Sequence, residues 1–418
     1  MPEDTLVMDD LLHSAIEHHQ SGRLAEAGEL YGAVLTADPG HPDALHLSGV
    51  LAQQVGDSEL ALTMIDSAIR HSPRAGAYHT SRGLVLQARG ELAASAAAYG
   101  TAVALDPSDA GAAAGRVEVA ALITERSRLQ AYQASVDKLR RSPYMDFPAH
   151  VHLETQAVCN ADCSFCPSSA LRRSGVKMPD ALIAKVIDDL TAIPRTLSFQ
   201  LSPFKVNEPL LDVRLFDILA LCNDKLPNAS LTLTTNASPL TEAKLSQLAR
   251  VKNLSYLWIS FNDHRPAVYE KVMRLPYQRT IERLSMLHGK KAGGEFAPRV
   301  VVSRVGDGTS DDAEFATWVR RQFPLFDVSV FQRGSWIGQV DTAVGAVPAV
   351  GCARWFELSI TSTGTVAHCC MDGQADWPIG DVQTQHVLDI YNAPEYRALR
   401  ERTASRRDVS PCRQCTFL

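Results

Sequence analysis

Apolar positions along the first hundred residues recur with helical spacing, and the whole pattern repeats every 34 residues. Gly22, Gly56 and Gly90 hold one place in the repeat, Pro39, Pro73 and Pro107 a second, and Tyr31, Ile65 and Tyr99 a third. Small residues recur too, Ala15, Gly49 and Gly83 in one series and Ala27, Ala61 and Ser95 in another. Such a pattern predicts helix pairs that approach closely through the small residues. The glycine ends the first helix of each pair and the proline punctuates the loop before the next. The Ala-rich run Asp109 to Thr124 predicts a capping helix, so residues 8–125 form an all-α array. A polar helical link follows over 126–147 and closes at Ser142-Pro143 and Phe147-Pro148.

From His150 the period changes. Strand-like runs at His150 to Thr155, Leu197 to Leu201, Ser230 to Thr235, Ser255 to Phe261, Arg299 to Val305 and Phe326 to Phe331 alternate with amphipathic helices. Six strand–helix units with right-handed crossovers predict a parallel sheet that curls, spanning 148–340. Tyr256, Trp258, Phe331 and Trp336 read as core of this sheet. A Gly/Ala/Val-rich link, Val340 to Val350, leads to a last domain over 341–418.

Composition narrows the functional classes. A chain of 418 residues exceeds what one core serves, so two or three domains are expected. The 41 Lys+Arg against 47 Asp+Glu give a net charge of −6 without a long basic run, which argues against nucleic acid or an anionic membrane as partner. The start, MPEDTLVMDD, lacks the basic and apolar regions of a secretory signal, and no apolar stretch reaches the ~18 residues of a membrane span. Nine cysteines in such a chain read as metal ligands rather than disulfides, and the expected compartment is the cytoplasm.

The cysteines carry the chemistry. Cys159, Cys163 and Cys166 form C-x3-C-x2-C directly after the first strand-like run. Three thiolates on one loop hold three irons of a cubane and leave the fourth open. A structural zinc site is the rival, although zinc normally takes four closed ligands. With Phe165 before the last cysteine, the motif resembles that of the radical S-adenosylmethionine (radical SAM) superfamily. The resemblance implies an open partial (β/α)6 barrel and a [4Fe-4S] cluster that cleaves SAM reductively to a 5'-deoxyadenosyl radical, with the site at the carboxyl ends of the strands. The amino-terminal repeat resembles the tetratricopeptide (TPR) family.

The same resemblance points to SAM contacts. Val206-Asn207-Glu208-Pro209 is similar to the family's Gly-Gly-Glu-Pro stretch, with Val206 and Asn207 where the family has glycines, and Glu208 is the acceptor expected for the SAM ammonium. Thr234-Thr235-Asn236 is similar to Thr-Asn-Gly. Ser260, ending the fourth strand, is the candidate for a ribose hydroxyl, and Arg304, ending the fifth, for clamping the SAM carboxylate or orienting substrate.

Cys352, Cys369, Cys412 and Cys415, in the order C-x11-G-x4-C followed by a distant C-x2-C, resemble the SPASM/twitch extension of these enzymes. The resemblance implies a hairpin, Glu357 to Ile360 and Val366 to Cys369, turning at Gly364, then a helix from Val387 to Arg402, and one auxiliary iron–sulfur cluster closed by four thiolates. Zinc is again the rival. The spacing from Gly364 favours Cys369 over Cys370 as ligand, and the shorter twitch form fits because the chain stops three residues after Cys415. The expected fold is α/β, a radical SAM barrel between a TPR array and a small twitch domain.

The expected function is hydrogen abstraction from a peptide or protein with an oxidative outcome, the array recruiting the substrate and a flavodoxin- or ferredoxin-type reductase supplying electrons. Oxidation or epimerisation of a sugar or aminocyclitol is the alternative, and a non-enzymatic assembly factor a further one. No residue is named as substrate acid or base, because the sequence leaves Arg333, Glu357 and Asp372 equally unplaced.

Overall fold

A computed structural model of the chain describes residues 2–340 and 345–417. Residues 341–344 of the Gly/Ala/Val-rich link lie outside the described residues. The chain divides into two units, Met1–Gln130 and Ala131–Leu418.

The first unit is helical throughout. α1 (Pro2–Gln20) pairs with α2 (Leu24–Ala37), α3 (Pro42–Gln54) with α4 (Ser58–His71), and α5 (Gly76–Ala88) with α6 (Leu92–Leu105). Gly22, Gly56 and Gly90 end the first helix of each pair at φ +78°, +90° and +75°, the left-handed region that favours glycine. The small series has a packing cause. A Cβ on Gly83 would come within 2.8 Å of the Tyr99 ring, and one on Gly49 within 2.7 Å of Ile65. Ser95 fills its place by donating from Oγ to the Gly83 carbonyl at 2.7 Å.

The capping helix and the link are one element. α7 runs unbroken from Ala110 to Arg140, because neither proline nor glycine falls between Gly115 and Ser142 to end it, so the division between the two units at Gln130 falls inside one helix.

The second unit is built on one nine-stranded sheet in the order β6-β5-β4-β3-β2-β1-β7-β8-β9. β1 (His150–Leu153), β2 (Phe199–Ser202), β3 (Ala229–Thr235), β4 (Leu254–Ser260), β5 (Arg299–Gly306) and β6 (Asp327–Gln332) are parallel, as their alternation with helices predicts. The intervening helices are α8 (Asp180–Leu190), α9 (Leu215–Lys225), α10 (Glu242–Leu248), α11 (Pro266–Met273), α12 (Tyr277–Ala292) and α13 (Ser310–Gln322). Apolar residues such as Val151, Leu153, Leu201, Leu231 and Ile187 are buried in the core they share.

The carboxyl-terminal strands extend this sheet. β7 (Glu357–Ile360) adds in parallel beside β1, and β8 (Thr365–Ala367) and β9 (Pro378–Asp381) follow antiparallel, turning at Gly364 with φ +89°. The expected single helix over 387–402 is two, α14 (Val387–Tyr391) and α15 (Pro394–Arg402). Pro394 lacks the N–H that would continue the first, and it opens the second instead. Among the described residues, no helix is long and apolar enough to cross a membrane.

Candidate functional site

A cavity of about 400 Å³ opens at the carboxyl ends of β1 to β6, and its wall carries Cys159, Cys163 and Cys166, Phe165, Asn207, Glu208 and Ser260. Sequence-predicted residues from two loops and the end of β4 thus meet in one place. Their thiols are set by burial. Cys159 is pushed up to about 12, and Cys163 and Cys166 are also raised, with the charge of neighbouring thiols adding to the effect at Cys163. Protons stay on such a trio unless cationic iron replaces them, which is the donor chemistry an iron–sulfur cluster requires. The backbone N–H of Ala161 already points at Cys159 Sγ from 3.4 Å. The residues fit the cluster.

Glu208 organises the cavity mouth. Its carboxylate accepts from Leu210 N at 3.0 Å, Thr235 Oγ1 at 2.8 Å and Asn236 N at 2.7 Å. Complete burial pushes its carboxyl up to about 7, although these bonds and Lys244 oppose the rise. Asn236 in turn donates from Nδ2 to Asn160 Oδ1 at 2.9 Å, tying the cysteine loop to the end of β3. Asn207 Oδ1 accepts from Lys205 N at 2.9 Å while its buried Nδ2 has no partner, so an amide donor stands ready where the family has a glycine. Ser260 Oγ accepts from Asn262 Nδ2 at 2.9 Å.

Arg304 does not join them. Its neighbours Ser303 and Val305 line the cavity, and strand alternation turns Arg304 the other way. There its guanidinium donates to Asp312 at 2.7 Å, Asp263 at 2.8 Å and the Asn262 carbonyl at 2.7 Å. It is a buried ion-pair hub rather than a SAM clamp. Tyr256, Trp258, Phe331 and Trp336, expected in the core, instead form cavity wall, Trp258 donating to Ser303 Oγ at 2.8 Å and Trp336 to the Phe165 carbonyl at 2.9 Å.

Cys352, Cys369, Cys412 and Cys415 line a second, small pocket beside Arg354 and Arg406. Burial raises Cys369, Cys412 and Cys415, with mutual charge adding, and Cys412 reaches about 12. Four thiols from three chain segments, flanked by two guanidinium groups, match a closed cluster whose net charge is negative. Tyr132 and His368 reach this pocket, Tyr132 Oη lying 3.8 Å from Cys352 Sγ and His368 Nε2 3.2 Å from Cys412 Sγ.

Cys370 lies elsewhere. It lines the first cavity, where burial raises its thiol to about 11, so the vicinal pair divides between two chambers. Two buried cations fix that division. Lys205 donates to the Asp372 carbonyl at 2.7 Å, and Arg173, paired with Glu154 at 2.6 and 2.8 Å, donates to the Gly373 carbonyl at 2.7 Å.

Residues 153–316 match the radical SAM superfamily, and residues 352–416 match the iron-sulfur cluster-binding SPASM domain. The chain is a radical SAM protein with a SPASM domain. It binds a [4Fe-4S] cluster and SAM, and its SPASM domain carries auxiliary iron–sulfur chemistry. When bound, the first cluster supplies the electron that splits SAM.

Among solved structures, Streptococcus suis SuiB bound to precursor peptide SuiA is 14% identical, with 73% of this chain and 74% of that chain covered and a TM-score of 0.51. BtrN in complex with AdoMet and 2-DOIA is 18% identical over 65% of this chain and 94% of that chain, with a TM-score of 0.47. The Sgt2 TPR domain from Aspergillus fumigatus is 18% identical over 31% of this chain and 83% of that chain, with a TM-score of 0.29. No curated protein matches the sequence.

The floor of the radical SAM cavity went unread in the sequence. His150, His152 and Arg354 line it, with Glu357 bonded behind them. The period-two order His-Val-His-Leu in β1 is the signal that places both imidazoles on the inner face.

Proposed function

We propose that this radical SAM protein abstracts hydrogen from a residue of a peptide or protein and completes the reaction as an oxidation. The observation that carries the reading is the convergence of three loop thiols with Glu208, Asn207 and Ser260 on one cavity, with a four-thiol pocket beside it. Glu208 and Asn207 hold the SAM amino acid end, Ser260 meets the ribose, and the aromatic wall excludes water. The amino-terminal helical-repeat array, an architecture that offers extended concave binding surfaces, supports a polypeptide partner. A flavodoxin- or ferredoxin-type protein would deliver the electron.

The polar cavity floor favours a second reading, oxidation or epimerisation of a sugar or aminocyclitol. Anaerobic reconstitution with SAM and dithionite tests the class, since an enzyme of this kind yields 5'-deoxyadenosine and its Cys159→Ala variant does not. Absence of that product would leave an assembly factor as the remaining reading. Stimulation of 5'-deoxyadenosine formation by a peptide library, against a panel of sugars and aminocyclitols, then separates the two substrate classes.

A further inference from the structure

The walls of the four-thiol pocket hold more hydrogen-bond donors than acceptors. His368 Nε2 lies 3.2 Å from Cys412 Sγ, and because a thiolate can only accept, the imidazole supplies the hydrogen there. Tyr132 Oη accepts from Ala353 N at 3.0 Å, which leaves its own hydrogen for Cys352 Sγ at 3.8 Å. Two more donors are unmatched. Among the described residues, Trp355 Nε1 and Arg406 Nε are buried without a partner, and both side chains line this pocket. Trp355 is 0% exposed and Arg406 1%, so bulk solvent reaches neither.

A buried N–H left unpaired is costly, so these groups call for an acceptor. Among the described residues, the side chains that line the pocket offer none but sulfur. An iron–sulfur cluster adds inorganic sulfides that accept, whereas a zinc ion adds no acceptor. The donor set therefore suits the cluster.

The three loop thiols stand in different surroundings. Glu208 lines their cavity, and Asp162 lies on the loop itself between Cys159 and Cys163, where it pairs with exposed Arg274. The Ala161 N–H reaches Cys159 Sγ at 3.4 Å, and Ser168 donates toward Cys166. Cations gather on the other side. Arg354 borders both chambers, Arg406 belongs to the four-thiol pocket alone, and Lys205 is held on the carbonyls of Cys369, Cys370 and Asp372.

We propose that Tyr132, Trp355, His368 and Arg406 raise the reduction potential of the cluster held by Cys352, Cys369, Cys412 and Cys415 above that of the cluster held by Cys159, Cys163 and Cys166. The proposal rests on the radical SAM and auxiliary-cluster reading above. Reduction takes one electron from a flavodoxin- or ferredoxin-type donor, which is oxidised, and adds one negative charge among the four thiolates; no bond breaks and no proton moves. Hydrogen bonds to sulfur and a nearby guanidinium stabilise that added charge. Burial opposes it, because none of the four cysteines is more than 8% exposed and charge is costly away from water. The low dielectric that sets this cost also strengthens every donor in the pocket, and four donors, one of them cationic, outweigh it.

The test needs neither substrate nor SAM. Full-length protein carrying both clusters is titrated potentiometrically at fixed pH and followed by electron paramagnetic resonance. A variant carrying Cys159→Ala, Cys163→Ala and Cys166→Ala identifies the signal of the four-thiol cluster, and Cys369→Ala that of the loop cluster. The four-thiol signal should appear at the higher potential. Tyr132→Phe and His368→Leu should each lower that midpoint by up to tenfold in the one-electron equilibrium, ~59 mV, and leave the loop midpoint in place. His368→Gln, which keeps an N–H, should recover most of the shift. Where His368→Leu loses iron, Tyr132→Phe decides, since it removes one oxygen only. A loop cluster that reduces first overturns the proposal, and so do variant midpoints that match wild type. A triple variant that holds zinc, or no metal, instead overturns the auxiliary-cluster reading and the proposal with it.

Discussion

The Lys205 ammonium lies 2.7 Å from the carbonyl oxygen of Asp372, and the carbonyls of Cys369 and Cys370 lie 3.4 Å from the same nitrogen. A buried cation from the loop after β2 therefore holds the turn that presents the auxiliary ligand. Lys205→Met should lower stability by about 2 kcal/mol, the scale of hydrogen bonds to a charged group. It should also lower auxiliary iron while leaving the iron bound by Cys159, Cys163 and Cys166. Thermal denaturation and iron analysis of the two-cluster protein check both outcomes.

The vicinal cysteines should behave oppositely. Cys369→Ala removes a wall of the four-thiol pocket, and close to half of the reconstituted iron should be lost. Cys370→Ala should retain it all, because its thiol faces the other chamber. Equal iron loss in the two variants would contradict this division.

Arg304 serves stability, so Arg304→Gln should leave SAM affinity within twofold of wild type. Its loss removes one of the two guanidinium groups on buried Asp263, Arg265 keeping the other side at 2.9 and 3.0 Å, so the expected cost is about 2 kcal/mol, the scale of hydrogen bonds to a charged group. Calorimetry of SAM binding beside a denaturant titration separates the two effects.

Glu208 gives a pH signature. Its carboxyl is raised to about 7 in the folded protein, so between the ordinary carboxylate range and neutrality the native state holds a proton that the unfolded chain has released. Stability of the cluster-free protein should accordingly fall as pH rises through that window and level off above it, by an amount on the order of 3 kcal/mol. SAM binding should strengthen over the same window as the carboxylate forms. Glu208→Gln should flatten both profiles.

In the array, Gly49→Ala should destabilise by about 1–3 kcal/mol through overpacking, because its Cβ would meet Ile65 Cγ1 at 2.7 Å and the Ala61 carbonyl at 2.9 Å. Gly100→Ala, where nothing lies within 4 Å, is the matched control and should cost nothing.

What the sequence made legible was whatever repeats or chelates. The 34-residue period located each helix pair, and cysteine spacing picked out the two thiol sets that the fold gathers into two pockets, Cys369 rather than Cys370 lying with the other three. Properties that depend on which way a strand residue faces were harder to read. Arg304 sits between two cavity-lining neighbours and was assigned their chemistry, while His150 and His152 passed as part of an apolar run although their alternation with Val151 and Leu153 marked the inner face. Nor could composition show that α7 continues through residue 125, since a cap and a polar link have the same helical preference.

Cys369 and Cys370 are joined by one peptide bond, yet their sulfurs belong to different rooms of the enzyme. The partition between the cavity of the three loop thiols and the pocket of the four is therefore a single amide thick at this point. Deleting His368, the one residue between β8 and Cys369, would bring Cys370 into the place of Cys369 and Cys369 into the place of His368 beside Cys412, leaving the first cavity without a thiol from this turn. Chain register at Cys369 thus keeps the two chemistries apart.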